Sequence, residues 1–152
     1  MRKPFVIIFL LALSLASCQR DVLTGRSADI PEEGWGSDDT LRFPFDTVRE
    51  EMQAALCLTL RLSAVNPYPY EDVTLLVGRE GQERPDTVVV PIATQRGEHR
   101  PTGGVALRTV TQRIDTISLH AGEAPTFTIL QFMRLDPLPG IVDVGVALER
   151  IQ

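Results

Sequence analysis

The fold of this chain is decided by the stretch Leu56-Cys57-Leu58-Thr59-Leu60-Arg61-Leu62-Ser63, in which leucine occupies every second position. A period of two places successive side chains on opposite faces of a β-strand, so the leucines share one face and the intervening residues share the other. Leucine by itself favours a helix, but a helix would bury Arg61 among the leucines. The period therefore predicts a half-buried strand.

Runs with the same period lie on both sides of this strand. Pro44 and Pro91 remove backbone donors, which places their runs at sheet edges or bulges. Residues 50–56 are the one stretch with the character of a helical turn. The runs cover residues 40–48, 73–77, 87–93, 105–119 (as one bent strand or two), 127–133 and 142–148, the last with Val142, Val144, Val146 and Leu148 on one face. About seven or eight short strands without an amphipathic helix predict an all-β fold, an antiparallel β-sandwich of Ig-like or jelly-roll-like type.

The N-terminus has the layout of a secretory signal. Met1-Arg2-Lys3 is cationic, and an apolar run of about a dozen residues follows from Phe5. The run is shorter than the roughly 20 residues that a membrane-spanning helix needs. Residues 1–17 are therefore predicted to be a signal peptide rather than a permanent anchor.

The signal ends in Leu15-Ala16-Ser17-Cys18, which resembles the bacterial lipobox. Small residues fit the peptidase cleft, and the Cys18 thiol is the nucleophile that forms a thioether with a diacylglyceryl group. Cleavage then frees an amine for a further fatty acid such as palmitate. Each buried methylene contributes about 0.8 kcal/mol, so two or more chains anchor a protein stably. Cys18 is thus the predicted lipidation site. The alternative is an ordinary secretory signal that happens to end near a cysteine.

Charge and cysteine count narrow the function further. The chain has 15 basic and 20 acidic residues, and loss of Arg2 and Lys3 leaves 13 against 20, a net charge of −7. Such a chain is poorly suited to nucleic acid, which needs a cationic face. Lipidation uses the Cys18 thiol, so the domain is expected to fold without a disulfide. Cys57 is then interpreted as a small, part-buried hydrophobic residue.

Residues 18–39 are predicted to be the lipidated N-terminus and a flexible linker, and residues 40–152 the sandwich domain. Residues 19–39 mix charge, glycine and proline without a sustained period. Trp35 is the exception, an isolated large apolar residue between two glycines. Gln19 follows the cysteine, instead of the aspartate that retains some lipoproteins at the inner membrane, so the outer membrane is favoured.

The sequence provides little catalytic chemistry. Neither His99 nor His120 has a metal-ligand spacing to another histidine, cysteine or carboxylate. The chain has no G-x-S-x-G elbow and no phosphate loop, and its paired acidic residues lack the alternation of a calcium loop. No catalytic residue, metal or cofactor is therefore predicted, and the protein is expected not to be an enzyme. A small hydrolase with an unrecognised site is the rival interpretation.

The most distinctive local feature is Asn66-Pro67-Tyr68-Pro69-Tyr70. Alternating prolines hold the backbone extended, so the two tyrosines project in defined directions. One interpretation is a stiff corner whose tyrosines pack on the end of the sandwich. The other is an aromatic patch for a partner, because tyrosine is enriched at interfaces. Tyr68, Tyr70 and Trp35 are the candidate partner-binding residues.

Several of these features together resemble the gliding-motility-associated lipoprotein family GldH. The matching segments are the lipobox cysteine, Trp35, Phe43-Pro44-Phe45-Asp46-Thr47, Leu60-Arg61, Tyr68-Pro69-Tyr70-Glu71-Asp72-Val73, Asp86-Thr87, Gln131-Phe132-Met133-Arg134 and Leu138-Pro139-Gly140-Ile141-Val142-Asp143-Val144-Gly145-Val146. The resemblance implies a non-enzymatic envelope lipoprotein of gliding bacteria and their non-motile relatives. Its expected partners are the membrane, through lipid on Cys18, and other envelope proteins of a motility or surface apparatus.

The rival function from a different class is a surface carbohydrate-binding or adhesive β-sandwich. Such a protein would present exposed aromatic side chains on a concave face or a loop cluster. With 6% aromatic residues and one tryptophan, the chain is poorly supplied for this role.

Overall fold

The computed structural model describes residues 22–92 and 107–151. Within these ranges the chain forms eight strands and no helix: β1 Val22–Asp29, β2 Leu41–Pro44, β3 Met52–Ser63, β4 Asp72–Arg79, β5 Asp86–Pro91, β6 Leu107–Leu119, β7 Thr126–Gln131 and β8 Ile141–Arg150. Accordingly, no helix of the described ranges is long and apolar enough to cross a membrane. The predicted signal peptide, Cys18 and His99 lie outside the described residues.

The strands form two four-stranded sheets, ordered β1-β8-β3-β6 and β2-β7-β4-β5. Every pairing is antiparallel. The predicted β-sandwich is therefore confirmed. The strands that contain Pro44 and Pro91, β2 and β5, lie at the two edges of the second sheet, as the missing backbone donors predict.

The leucine stretch is the centre of the core. Leu56, Leu58, Leu60 and Leu62 are all buried and face the second sheet, while Arg61 is exposed on the opposite face. Cys57 is also buried on that outer face, consistent with its interpretation as a small hydrophobic residue. The strand begins at Met52, so residues 50–56 do not form the helical turn that their composition allowed.

A β-bulge changes the predicted phase of β8. Arg61 pairs with Asp143 and Leu62 pairs with Ile141, so Val142 is an extra residue in the ladder. A bulge places two residues opposite one and shifts the alternation locally. As a result Ile141, rather than Val142, occupies the buried position, and the predicted phase holds from Val144 onward.

The described part of the predicted linker, residues 22–39, belongs to the sandwich. Strand β1 pairs with β8 from Val22 opposite Glu149 to Asp29 opposite Asp143. The Arg26 guanidinium ties this strand to the other sheet, donating to the Pro44 carbonyl oxygen at 3.1 Å and lying 3.4 Å from the Asp46 carboxylate. The linker prediction was wrong here because β1 is a polar edge strand held by its backbone and so has little hydrophobic alternation.

Candidate functional site

Three loops of the described residues meet at one end of the sandwich, where β1, β3 and β7 end and β2, β4 and β8 begin. We call this the tyrosine end and define it as residues 30–40, 64–71 and 132–140. All three candidate partner-binding residues of the sequence lie in these loops. The opposite end, where β1 begins, contains residues 45–51, 80–85 and 120–125 and is called the anchor end.

Trp35 is a core residue of the tyrosine end. Its side chain is fully buried, and its ring nitrogen donates to the Asp39 carbonyl oxygen at 2.8 Å. Its backbone forms a two-way bridge with Leu138, each N–H to the other carbonyl oxygen at 2.9 Å. The structure therefore corrects its assignment as a candidate binding residue, because a buried ring with a satisfied donor is not available to a partner.

Tyr68 and Tyr70 lie at the surface but are partly buried against the core. Their rings meet edge to face with centroids 5.8 Å apart, and the Tyr68 hydroxyl donates to the Asp72 carbonyl oxygen at 2.8 Å. Burial, together with the negative charge of Asp72 and the neighbouring Tyr70, raises the pKa of Tyr68 well above its usual range. Tyr68 therefore keeps its proton and acts as a donor that closes the corner.

The loop with the tyrosines lies against Gly140, the residue that precedes β8. Gly140 has φ +87°, and a side chain there would place Cβ 2.5 Å from the Tyr68 nitrogen and 2.6 Å from its Cα. Only glycine allows both this φ and this approach of two backbones. The corner is thus fixed by backbone contact as well as by its prolines.

Hydrogen bonds join the other two loops of the tyrosine end. The Ser37 backbone N–H and hydroxyl both donate to the Asp136 carboxylate, at 2.9 and 2.6 Å. These two hydrogen bonds lower the pKa of Asp136. In addition, the buried Gln131 side-chain amide donates to the carbonyl oxygens of Trp35 at 3.4 Å and Leu135 at 3.3 Å.

The tyrosine end exposes apolar side chains that the sequence analysis did not include among the candidate partner-binding residues. Val65 is 88% exposed and Phe132 64% exposed. Phe132 N–H donates to the Thr74 carbonyl oxygen at 2.9 Å, so the residue continues the β4–β7 ladder with its ring outward. Its phase gave a usable signal, because Phe127, Ile129 and Gln131 alternate toward the core and the residue after Gln131 must face solvent.

One groove lies at the tyrosine end and a larger one lies toward the anchor end. The first, of about 430 Å³, is lined mainly by Ile30, Pro31, Val65, Asn66, Ile141 and Val142. The larger one, of about 660 Å³, opens between the edge strands β5 and β6. Leu56, Val77 and Phe127 form its apolar wall, and Arg79, Asp86 and Asp115 lie among its polar residues.

Residues 22–92 and 107–151 contain no group of three or more His, Cys, Asp or Glu side chains that could hold a metal ion. His120 lies at the anchor end, with its Nδ1 3.7 Å from Glu51, and both side chains are exposed. The tyrosine end, by contrast, exposes the apolar side chains of Val65, Phe132 and Leu135 beside acidic ones such as Glu32 and Glu71.

The described residues define an all-β antiparallel sandwich of two four-stranded sheets. The chain belongs to the GldH lipoprotein family, whose model matches residues 23–148. The expected family is therefore confirmed, and membership makes the chain a lipid-anchored protein of the cell envelope. Among curated proteins, none matches this sequence significantly.

Solved structures with a similar fold are distant in sequence. A family 35 carbohydrate-binding module from Clostridium thermocellum is 16% identical, with a TM-score of 0.42 over 74% of this chain and 72% of that one. The C-terminal CBM6 of LamC, a marine laminarinase from Zobellia galactanivorans, is 15% identical, with a TM-score of 0.38 over 80% and 90%. The GH115 4-O-methyl-α-glucuronidase BtGH115A is 15% identical, with a TM-score of 0.43 over 89% of this chain and 18% of the enzyme.

Proposed function

We propose that this protein is a non-enzymatic lipoprotein that binds other envelope proteins of a motility or surface apparatus through its tyrosine end. The observation that carries the proposal is the exposure of Phe132 and Val65 on loops whose backbones are fixed. Binding energy at interfaces is concentrated in a few residues, often aromatic. Loops already held in one conformation lose little entropy on docking.

The tyrosines support this surface rather than forming all of it. The Tyr68 hydroxyl is engaged with Asp72, and its ring packs on Tyr70, so Tyr68 positions the corner. Tyr70, Phe132 and Val65 are the side chains that a partner would contact. This division replaces the set of Trp35, Tyr68 and Tyr70 expected from sequence.

The test is crosslinking in cells followed by identification of captured proteins. We expect Phe132→Ala combined with Val65→Ser to lose specific partners while circular dichroism and melting temperature change little, because both side chains are exposed. Leu23→Ser is the matched control, since Leu23 is an exposed apolar residue at the anchor end. If the double variant keeps the same partners as the wild type, the tyrosine end is not the interaction surface. Capture of a glycan by the wild type but not by the variant would favour the carbohydrate-binding rival.

The anchor is proposed to be lipid on Cys18, with the outer membrane as its location. A cysteine preceded by Leu15-Ala16-Ser17 supports this assignment, as does the family. We expect Cys18→Ser to abolish labelling with fatty acid and to remove the domain from the outer-membrane fraction. Labelled fatty acid on the Cys18→Ser variant, or unchanged fractionation of that variant, would contradict the assignment.

A further inference from the structure

The distance between the proposed lipid and the folded domain is limited by covalent geometry. Residues 19–21 are all that separates Cys18 from β1, which begins at Val22. Four Cα–Cα steps span at most about 14 Å, whatever their conformation. A flexible segment of 21 residues, as residues 19–39 were expected to be, would instead extend up to about 70 Å.

Strand β1 does not provide additional reach. Its backbone is paired with β8 from Val22 to Asp29, with a register shift between Val22 and Thr24, and Arg26 binds the Pro44 carbonyl oxygen and Asp46. Detaching the strand would break this ladder and both side-chain contacts. The start of β1, and with it the anchor end, therefore stays close to the lipid.

We infer that the protein stands on the membrane through its anchor end and directs its tyrosine end away from the lipid. The inference rests on the proposed lipidation of Cys18. The partner of the anchor end is thus the membrane surface itself. A strand rises about 3.3 Å per residue, so the eight residues of β1 carry the tyrosine end roughly 26 Å further from the bilayer.

The surface of the anchor end carries a groove beside the start of β1. The groove, of about 480 Å³, is lined by the apolar side chains of Leu23, Phe45, Val48 and Met52 among others. Charged side chains of both signs also line it, namely Asp46, Glu50, Arg49 and Arg150, and Arg150 pairs with Glu50 at 2.6 Å. Attraction to anionic lipids requires a cluster of basic side chains, and charges of mixed sign do not form one, so the short tether, rather than charge, keeps this end at the membrane.

The experiment uses the full mature lipid-modified protein reconstituted into vesicles that carry a headgroup-linked energy acceptor. A donor dye is attached through Glu51→Cys at the anchor end or Val65→Cys at the tyrosine end, each in a Cys57→Ala background. Both positions are highly exposed. We expect strong energy transfer from position 51 and several-fold weaker transfer from position 65. A long flexible Gly/Ser segment inserted before Val22 should remove most of this difference.

Two results would overturn the inference in distinguishable ways. If the protein floats with the vesicles but positions 51 and 65 transfer equally at the native tether length, the orientation is wrong although lipidation stands. If the protein carries no lipid and does not float, the proposed anchor fails and the orientation fails with it. A difference that survives the insertion unchanged would show that the anchor end binds lipid on its own, and that the short tether is not the cause.

Discussion

The two ends of the sandwich are closed by different kinds of interaction. At the tyrosine end, Trp35 is buried under a backbone bridge to Leu138, and Gly140 lies against the backbone of Tyr68. At the anchor end and its neighbouring strands, side-chain ion pairs predominate. These are Arg79–Glu123, Arg150–Glu50 at 2.6 Å, Arg42–Glu80 at 3.4 Å and Arg26–Asp46 at 3.4 Å.

This difference matches the tasks proposed for the two ends. Burial and backbone contact fix loop geometry, as a recognition surface requires, whereas exposed ion pairs contribute only about 0–1 kcal/mol and tolerate rearrangement. Under the proposed lipidation of Cys18, the anchor end is held at the membrane covalently, so its loops do not need a conformation that is fixed to the same degree. The comparison predicts large mutational effects at one end and small, salt-dependent effects at the other.

The largest effect is expected from Trp35→Ala. Truncating a fully buried aromatic side chain costs about 3–5 kcal/mol through lost burial and the cavity that remains. Chemical denaturation measures this loss in the free energy of unfolding. The control is Arg42→Ala, which breaks an exposed ion pair and should cost less than about 1 kcal/mol. Similar losses in the free energy of unfolding for the two variants would show that burial at the tyrosine end does not stabilise the protein more than the exposed ion pairs do.

The next effect comes from a pair of glycines with the same backbone conformation. Gly140 at the tyrosine end has φ +87°, and Gly122 at the anchor end has φ +86°. Alanine in this region costs roughly 1–2 kcal/mol at either site. At position 140 its Cβ would also collide with the backbone of Tyr68, whereas nothing lies within 4 Å at position 122.

We therefore expect Gly140→Ala to lower the free energy of unfolding by about 1–3 kcal/mol more than Gly122→Ala does, which is the range typical of overpacking. Denaturation of both variants under the same conditions gives the difference directly, because the strain common to the two sites cancels. Equal costs would mean that the loop at residues 64–71 yields readily, and that the tyrosine end is not fixed by this contact.

The alternation of the leucine stretch predicted β3, the sandwich and the core face of Leu56 to Leu62, because a period of two has one physical cause. Three other features could not be predicted in this way. β1 pairs through its backbone, which leaves little trace in side-chain type. The bulge at Val142 shifts the phase by one residue, and valine itself does not mark such a position. Trp35 lies in a polar segment, and its burial depends on residues around Leu138, which are far away in the sequence.

An ion pair near the tyrosine end tests whether burial, rather than charge, determines how much stability a mutation costs at each end of the sandwich. The β3 alternation places Arg61 outward and so predicts that Arg61→Ala costs far less stability than Leu60→Asp, which buries an unpaired charge. The structure pairs Arg61 with Asp143, whose side chain is only 3% exposed. Loss of the guanidinium leaves a buried carboxylate without its charged partner.

We therefore expect Arg61→Ala to cost about 1–3 kcal/mol, the penalty for leaving a buried polar group unsatisfied. The matched control is Arg150→Ala, whose partner Glu50 is exposed and which should cost less than about 1 kcal/mol. Adding Asp143→Ala to Arg61→Ala should recover part of the loss, because the unpaired buried charge is removed. If the double variant is much less stable than Arg61→Ala, the pair is not the source of the effect.

The smallest effect concerns one carboxylate at each end. Desolvation raises the pKa of Glu123, but the His120 backbone N–H and the hydrogen bond and charge of Arg79 lower it by more. Hydrogen bonds from Ser37 alone lower the pKa of Asp136. Because both pKa values are below their unfolded values, both groups stabilise the protein above about pH 4–5, and the contribution is lost as pH falls through the folded pKa.

Added salt should change the pKa values of Glu123 and Asp136 by different amounts. At roughly 1 M ionic strength the Debye length is about 3 Å, which weakens the charge contribution of Arg79 but not the hydrogen bonds from Arg79 and His120, so the pKa of Glu123 moves part of the way toward its usual range. The Asp136 donors belong to an uncharged serine, so its pKa should move much less. Carboxyl chemical shifts followed by NMR at low and high salt measure both. Ser37→Ala should raise the pKa of Asp136 and leave that of Glu123 unchanged. Equal salt shifts at the two sites would show that the tyrosine end, too, depends on charge.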